Sequence, residues 1–153
     1  MTDRSPIVHV VDDDDSVRAA VVRLLQAAGY EARGYGSAGE FLLGRTDRSA
    51  PGCVVLDVRM PGPSGLELQE ALARLELELP IVFLTGHGDV PTSVRAMKGG
   101  AVDFLTKPVS REALLPAVQA AIARDADTRA AQAHLLMLRA RDGTRRTREA
   151  RMR

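Results

Sequence analysis

Four short apolar runs punctuate the first two-thirds of the chain, and each stops on a polar side chain. Ile7–Val11 runs into Asp12, Asp13, Asp14 and Asp15. Cys53–Leu56 runs into Asp57, Ile81–Leu84 into Thr85, and Val102–Thr106 into Lys107 and Pro108. Near-continuous apolar runs suit parallel strands buried on both faces. Between them lie segments of helical period. Val17, Ala20, Val21, Leu24, Leu25 and Ala28 form an i, i+3, i+4, i+7 stripe that stops at Gly29. Glu31–Tyr35 reads as a weak strand, polar enough for a sheet edge. Ser37 and Glu40 have capping-box spacing before a short helix through Phe41–Leu43. Arg45 to Gly52 reads as a polar loop. A Pro- and Gly-rich loop follows Asp57, and Leu66, Leu68, Gln69, Leu72 and Leu75 then suggest a helix. Pro91 fits a first helical turn before Val94–Lys98. Ser110 is the expected N-cap of a last helix through Leu114, Leu115, Val118, Ala121 and Ile122, with Pro116 straining its second turn. Five strand–helix units without a long insert predict a parallel sheet with right-handed crossovers, a three-layer α/β sandwich.

From about Ala123 the pattern loosens. Ala126, Ala130, Ala131, Leu135, Leu136 and Leu138 can prolong the last helix. Arg139–Arg153 holds seven arginines and no apolar face, so this end is expected to fray or be disordered. Charge divides at the same place. Residues 1–123 carry 12 basic and 16 acidic groups, and residues 124–153 carry nine arginines and four acidic groups. The domain organisation expected is therefore a mildly acidic domain over residues 5–123 and a basic helical extension or linker over 124–153. With no Trp, two Tyr and three Phe, stacking platforms for bases are not expected. The one cysteine, Cys53, excludes an internal disulfide and reads as a buried small hydrophobe. The N-terminus lacks a signal-peptide pattern and no stretch is long enough to span a bilayer, so a cytoplasmic location and no membrane partner are expected.

Candidate chemistry follows from strand ends. Ligands of open parallel sheets sit just beyond the carboxyl ends of the strands, so carboxylates, a hydroxyl and an ammonium should meet in one crevice. Asp12 and Asp13, nearest the strand, are assigned to the site, and Asp14 to the cap of the following helix. An all-oxygen set with few protein ligands favours Mg²⁺, with water completing an octahedron. A solvated helix start is the competing explanation for this acidic run. Asp57 closes an apolar strand, where a carboxylate is costly unless paired; Mg²⁺ and Lys107 are the expected partners. Beside a metal, such a carboxylate can attack phosphorus and form an acyl phosphate. Thr85 can donate to a phosphoryl oxygen. Pro108 marks the end of the last strand, and a cis bond before it would fix the direction of Lys107. Arg59 and His87, each two residues beyond a site residue, are candidates for tuning the lifetime of that acyl phosphate, with plain loop residues the alternative.

Five segments, in this order, resemble the receiver domain of two-component response regulators. They are Val-Val-Asp12-Asp13-Asp14, Leu-Asp57-Val-Arg-Met-Pro61-Gly-Pro-Ser-Gly65, Leu-Thr85-Gly-His-Gly-Asp, Met-Lys-Gly-Gly-Ala101-Val-Asp-Phe104 and Thr-Lys107-Pro108. The resemblance covers residues 7 to about 122, and Thr-Gly-His-Gly-Asp-Val-Pro is similar to the nitrogen-fixation-regulator branch. It implies a flavodoxin-like (βα)5 fold with sheet order 2-1-3-4-5. It implies Asp57 as phosphoacceptor from a sensor histidine kinase. Asp13, Asp12 partly through water, Asp57 and the backbone carbonyl of Arg59 would hold Mg²⁺, and Lys107 would pair with the phosphoryl group. Thr85 and Phe104 would be the switch pair remodelling the face of the last two helices, with homodimerisation on phosphorylation a possible consequence.

That branch normally continues into a helix-turn-helix output domain. Only about 30 residues follow the receiver-like region here, without a second helix-turn-helix pattern. The arginines could touch phosphates nonspecifically, but no element reads base edges, so sequence-specific DNA binding by these 153 residues is not expected. Transcription control through a separate output domain and a stand-alone phosphate shuttle or binding switch are the two outputs weighed. A Mg²⁺-dependent phosphohydrolase with an Asp nucleophile would want an acid where Arg59 stands. A flavin or nucleotide binder would want a phosphate-cradling loop where Asp12–Asp15 stand.

Overall fold

In the computed structural model, the residues described are 5–44, 50–75, 77, 79–86 and 90–151. The elements are β1 (Ile7–Val11), α1 (Asp15–Ala27), β2 (Glu31–Tyr35), α2 (Ala38–Gly44), β3 (Gly52–Asp57), α3 (Gly65–Arg74), β4 (Ile81–Thr85), α4 (Val90–Lys98), β5 (Asp103–Thr106) and α5 (Arg111–Arg151). The five strands form one parallel sheet in the order β2-β1-β3-β4-β5. Four of the five strands follow apolar runs, and polar β2 takes an edge, as its composition requires.

Alternation along the strands divides the core in two. Val54, Leu56, Ile81 and Phe83 face one side, against Phe41 of α2, Leu66, Leu68 and Leu72 of α3 and Ala96 of α4. Val8, Val10, Cys53, Val55, Val82 and Leu84 face the other, against Val21 and Leu25 of α1 and Leu114, Val118 and Ala121 of α5. β1 and β3 are buried along their whole length. β5 is only half-buried, because it pairs with β4 alone and forms the second edge.

Local chemistry sets the helix starts. Asp14 caps α1, accepting from the backbone N–H groups of Ser16 and Val17. Ser110 Oγ accepts from Ala113 N at 3.2 Å at the start of α5, and Pro116 is accommodated within that helix. Ser64 and Glu67 form a reciprocal capping box at α3, a signal that the sequence carried but that the Pro/Gly-rich loop around it obscured.

The last helix departs from expectation. It is continuous from Arg111 to Arg151, whereas the sequence reading had order giving way after Leu138. Arg, Ala, Leu and Met are strong helix formers. A helix already nucleated on the sheet propagates at one hydrogen bond per residue fixed. Residues 130–141 are exposed, so helix propensity, not apolar burial, favours that stretch.

Phe41 is fully buried, with edge contacts to His9 and Tyr35 at ring-centroid distances of 5.3 Å. Phe41→Ala should cost about 3–5 kcal/mol, read as a lowered urea midpoint with an unchanged slope.

Candidate functional site

The carboxyl ends of β1, β3, β4 and β5 lie side by side, so the residues that close them share one rim. Asp12 follows β1 and is buried, while Asp13 is exposed beside it. Asp57 ends β3 and is buried. One carboxylate oxygen from each of Asp12, Asp13 and Asp57 lies within 4.8 Å of the others. Asp14 and Asp15 point elsewhere in function: Asp14 caps α1, and Asp15 pairs with Arg18 at 2.6 Å. Arg18 also donates to the Asp12 carbonyl at 2.8 Å, fixing the turn that presents the acidic pair.

Lys107 is the cation in this group. Its Nζ lies 2.7 Å from Asp12 Oδ2 and 3.4 Å from Asp57 Oδ1. Its backbone is tied to β4, where Lys107 N donates to the Thr85 carbonyl at 2.8 Å, and a cis bond joins Lys107 to Pro108. Burial pulls the ammonium pKa down, but the carboxylates of Asp12 and Asp57 outweigh it and the net displacement is upward.

Among the described residues, three carboxylates gather around the Lys107 ammonium. Burial pushes the Asp57 pKa up from 3.8 to about 6, and the Asp12 charge adds to this. Lys107 and the backbone N–H of Arg59, which donates to Asp57 Oδ1 at 3.4 Å, only partly oppose it. Asp12 Oδ2 is fully buried, and among the described residues its one close partner is the Lys107 ammonium at 2.7 Å. A buried anionic oxygen in that state fits a site for a hard divalent cation: the donors are all oxygen and the charge deficit is real.

The remaining residues singled out in the sequence are placed as follows. Thr85 is buried at the end of β4. Phe104 lies half-buried on β5, its ring centroid 6.1 Å from that of Phe83. Arg59 is exposed just past Asp57. His87 lies outside the described residues. Cys53 is buried, its thiol pushed up to about 12 by burial and by the charge of Asp125. Inertness follows, as expected of a packing residue.

Sequence reasoning missed Asp125 and Arg129. Asp125 is only 1% exposed, and its Oδ2 accepts from Gly52 N at 2.9 Å and from Arg129 Nε at 2.8 Å. The i, i+4 spacing of the pair was visible in the sequence, but its partner strand was not.

Comparison with known proteins now decides the family. A model of the response regulator receiver domain matches residues 8–119. The chain belongs to that family. Nodulation protein W of Bradyrhizobium diazoefficiens is 53% identical over 126 residues, covering 82% of this chain and 55% of its own. The transcriptional regulatory protein FixJ of Azorhizobium caulinodans is 46% identical, covering 78% of this chain and 56% of its own. The chain thus spans about half the length of these relatives. Among solved structures, the response regulator StyR superposes with a TM-score of 0.82 at 46% identity, covering 88% of this chain and 68% of that one. The FixJ N-terminal fragment superposes at 0.70 with 39% identity, covering 80% and 96%. The receiver fold is that read from the strand order, and the relatives include regulators of transcription. No described helix is long and apolar enough to cross a membrane.

The raised Asp57 pKa carries a stability sign. An acid whose folded pKa lies above its unfolded value destabilises the fold fully above the folded pKa and ceases to do so below the unfolded one. Asp57→Asn should therefore stabilise the metal-free protein by roughly 1–3 kcal/mol at pH 7. The gain should shrink as pH falls through about 6 towards 4. Urea unfolding at pH 7 and pH 4.5 reads both values, and saturating Mg²⁺ should narrow the gap at pH 7 by stabilising the wild type.

Proposed function

We propose that this receiver accepts a phosphoryl group from a sensor histidine kinase onto Asp57 in a Mg²⁺-dependent reaction. The carrying observation is the group itself: a buried, under-neutralised Asp57 with Asp12, Asp13 and Lys107 gathered around it. An Asp57 oxygen attacks phosphorus, the bond from phosphorus to the kinase imidazole breaks, and an acyl phosphate forms. Asp12, Asp13, Asp57 and the Arg59 backbone carbonyl would hold Mg²⁺, which supplies positive charge to oppose the phosphoryl oxygens. Lys107 provides a second, covalently tethered positive charge from β5. Attack needs the ionised carboxylate, so the Lys107 charge also keeps the nucleophile available.

The signal then leaves the site through Thr85 and Phe104. Thr85, at the neighbouring strand end, would donate its hydroxyl to the new phosphoryl group. Phe104 would turn towards the space this vacates and alter the face formed by α4, β5 and α5, promoting a homodimer. Arg59 and His87 would flank the acyl phosphate and tune the approach of hydrolytic water. The protein thus acts as a signalling domain whose chemistry is limited to its own phosphorylation and dephosphorylation, in the cytoplasm. Residues 5–123 form the phosphoacceptor domain, and residues 124–153 connect it to its output. The regulators of transcription among its relatives make transcription control the favoured output. No DNA contact is assigned to residues 5–123, and transcription control would act through a DNA-binding unit, in this protein or a partner. A stand-alone phosphate shuttle or protein-binding switch is the second output, and a gel shift separates the two. A phosphohydrolase is disfavoured because Arg59, not an acid, stands two residues after Asp57.

Incubation with acetyl phosphate and Mg²⁺ should add one phosphoryl group by intact mass, lost with chelator and in Asp57→Asn. Unchanged labelling of the Asn variant would remove the assignment. Lys107→Ala should retain measurable labelling but lose phosphate-dependent dimerisation by light scattering. Normal dimerisation of that variant would remove Lys107 from the relay.

A further inference from the structure

Within one helix, α5 serves two regimes. As far as Ala121 it packs on the sheet through Leu114, Ala117 and Val118. From residue 130 to residue 141 it is exposed. At the junction it is tied to the entry of β3, at the opposite end of that strand from Asp57. Asp125 takes the Gly52 N–H at 2.9 Å and Arg129 Nε at 2.8 Å, and a second Arg129 nitrogen donates to the Ala50 carbonyl at 2.8 Å. Two polar contacts thus join one turn of helix to two backbone groups only two residues apart, and the third couples the two helix side chains to each other. Gly52 is held there by close approach: a Cβ on it would lie 1.9 Å from the Ile7 carbonyl oxygen.

We propose that this clasp is a positioning device. It fixes the direction in which the distal half of α5 leaves the domain, so that residues 130–151 move as a lever with the sheet. Apolar packing is non-directional and tolerates rolling of a helix. Charge-assisted hydrogen bonds from a planar guanidinium are directional in both tilt and roll. Asp125 is buried, so releasing Arg129 leaves an uncompensated charge, and the clasp resists opening. Its register also sets what the lever presents. Leu135 and Leu136 continue, at helical spacing, the stripe of Leu114, Val118, Ala121 and Asp125 that faces the sheet, yet both are exposed beyond its edge.

Paired spin labels test this in the full chain. Arg23→Cys on α1 and Arg141→Cys on the distal helix are exposed sites, and buried Cys53 is protected from the label. With the clasp intact, electron–electron double resonance should give one narrow distance distribution. Arg129→Ala should broaden it at least twofold with helical circular dichroism and the thermal transition of the sheet retained. An unchanged width overturns the proposal. Broadening accompanied by loss of helicity also overturns it, since the clasp would then sustain the helix instead of aiming it. If Arg129→Ala does not fold, Arg129→Gln, which keeps an amide donor and loses the ion pair, is read by the same criteria.

Discussion

Three carboxylates held within a few ångströms of one another, with one ammonium between them, are the constraint on which the rest of this structure turns. Coulomb repulsion at such distances is large in a partly buried site, and the fold contains it by geometry. Asp13 keeps its exposure to water, Asp12 is locked by the Asp14 N–H and paired with Lys107, and Asp57 is left carrying the strain as a raised pKa. Two of the four acids of the run are drawn off to the first turn of α1. The remainder is an all-oxygen group whose excess negative charge suits a divalent cation. Residues of this kind destabilise the domain that carries them, and the apolar layers on both faces of the sheet offset that cost.

Most of the fold was legible because two periods were legible. Strands buried on both faces read as unbroken apolar runs, and helices as stripes, and their strict alternation leaves little freedom in topology. The rim residues were legible for the same reason: in a parallel sheet, whatever ends an apolar run ends up at the ligand-bearing edge. Asp57 and Lys107 were visible as single charges closing such runs. The division of labour within Asp12–Asp15 followed from the cap preference of the residue before a helix, and Asp14 does occupy that cap. Strand order is another matter. It came from family likeness, since nothing in the local pattern says that β1 lies between β2 and β3.

What stayed hidden depends on contacts distant in sequence. Asp125 read as one more charge in a loosening, basic stretch, because its acceptor role is defined by Gly52, 73 residues away. A polar residue on a buried face breaks the apolar period and so makes the pattern look looser where the helix is in fact pinned. The continuation to Arg151 misled in the opposite sense: without an apolar face it looked like disorder, but alanine and arginine need no face to extend a helix already started.

These two polar attachments share a strand. β3 begins at Gly52, inside the clasp with α5, and ends at Asp57, inside the acidic group. It is also the central strand, paired on both sides and buried throughout. A six-residue strand in that position has little room to slide or twist independently of its neighbours. The sheet therefore acts as a fixed frame against which both ends are referenced. Movement prompted at Asp57 must be taken up by elements at the rim, the loops and the β4–β5 edge, where Phe104 is only half-buried. The clasp end stays as a fulcrum. Rigidity at Gly52 ties the direction of the distal helix to the sheet itself.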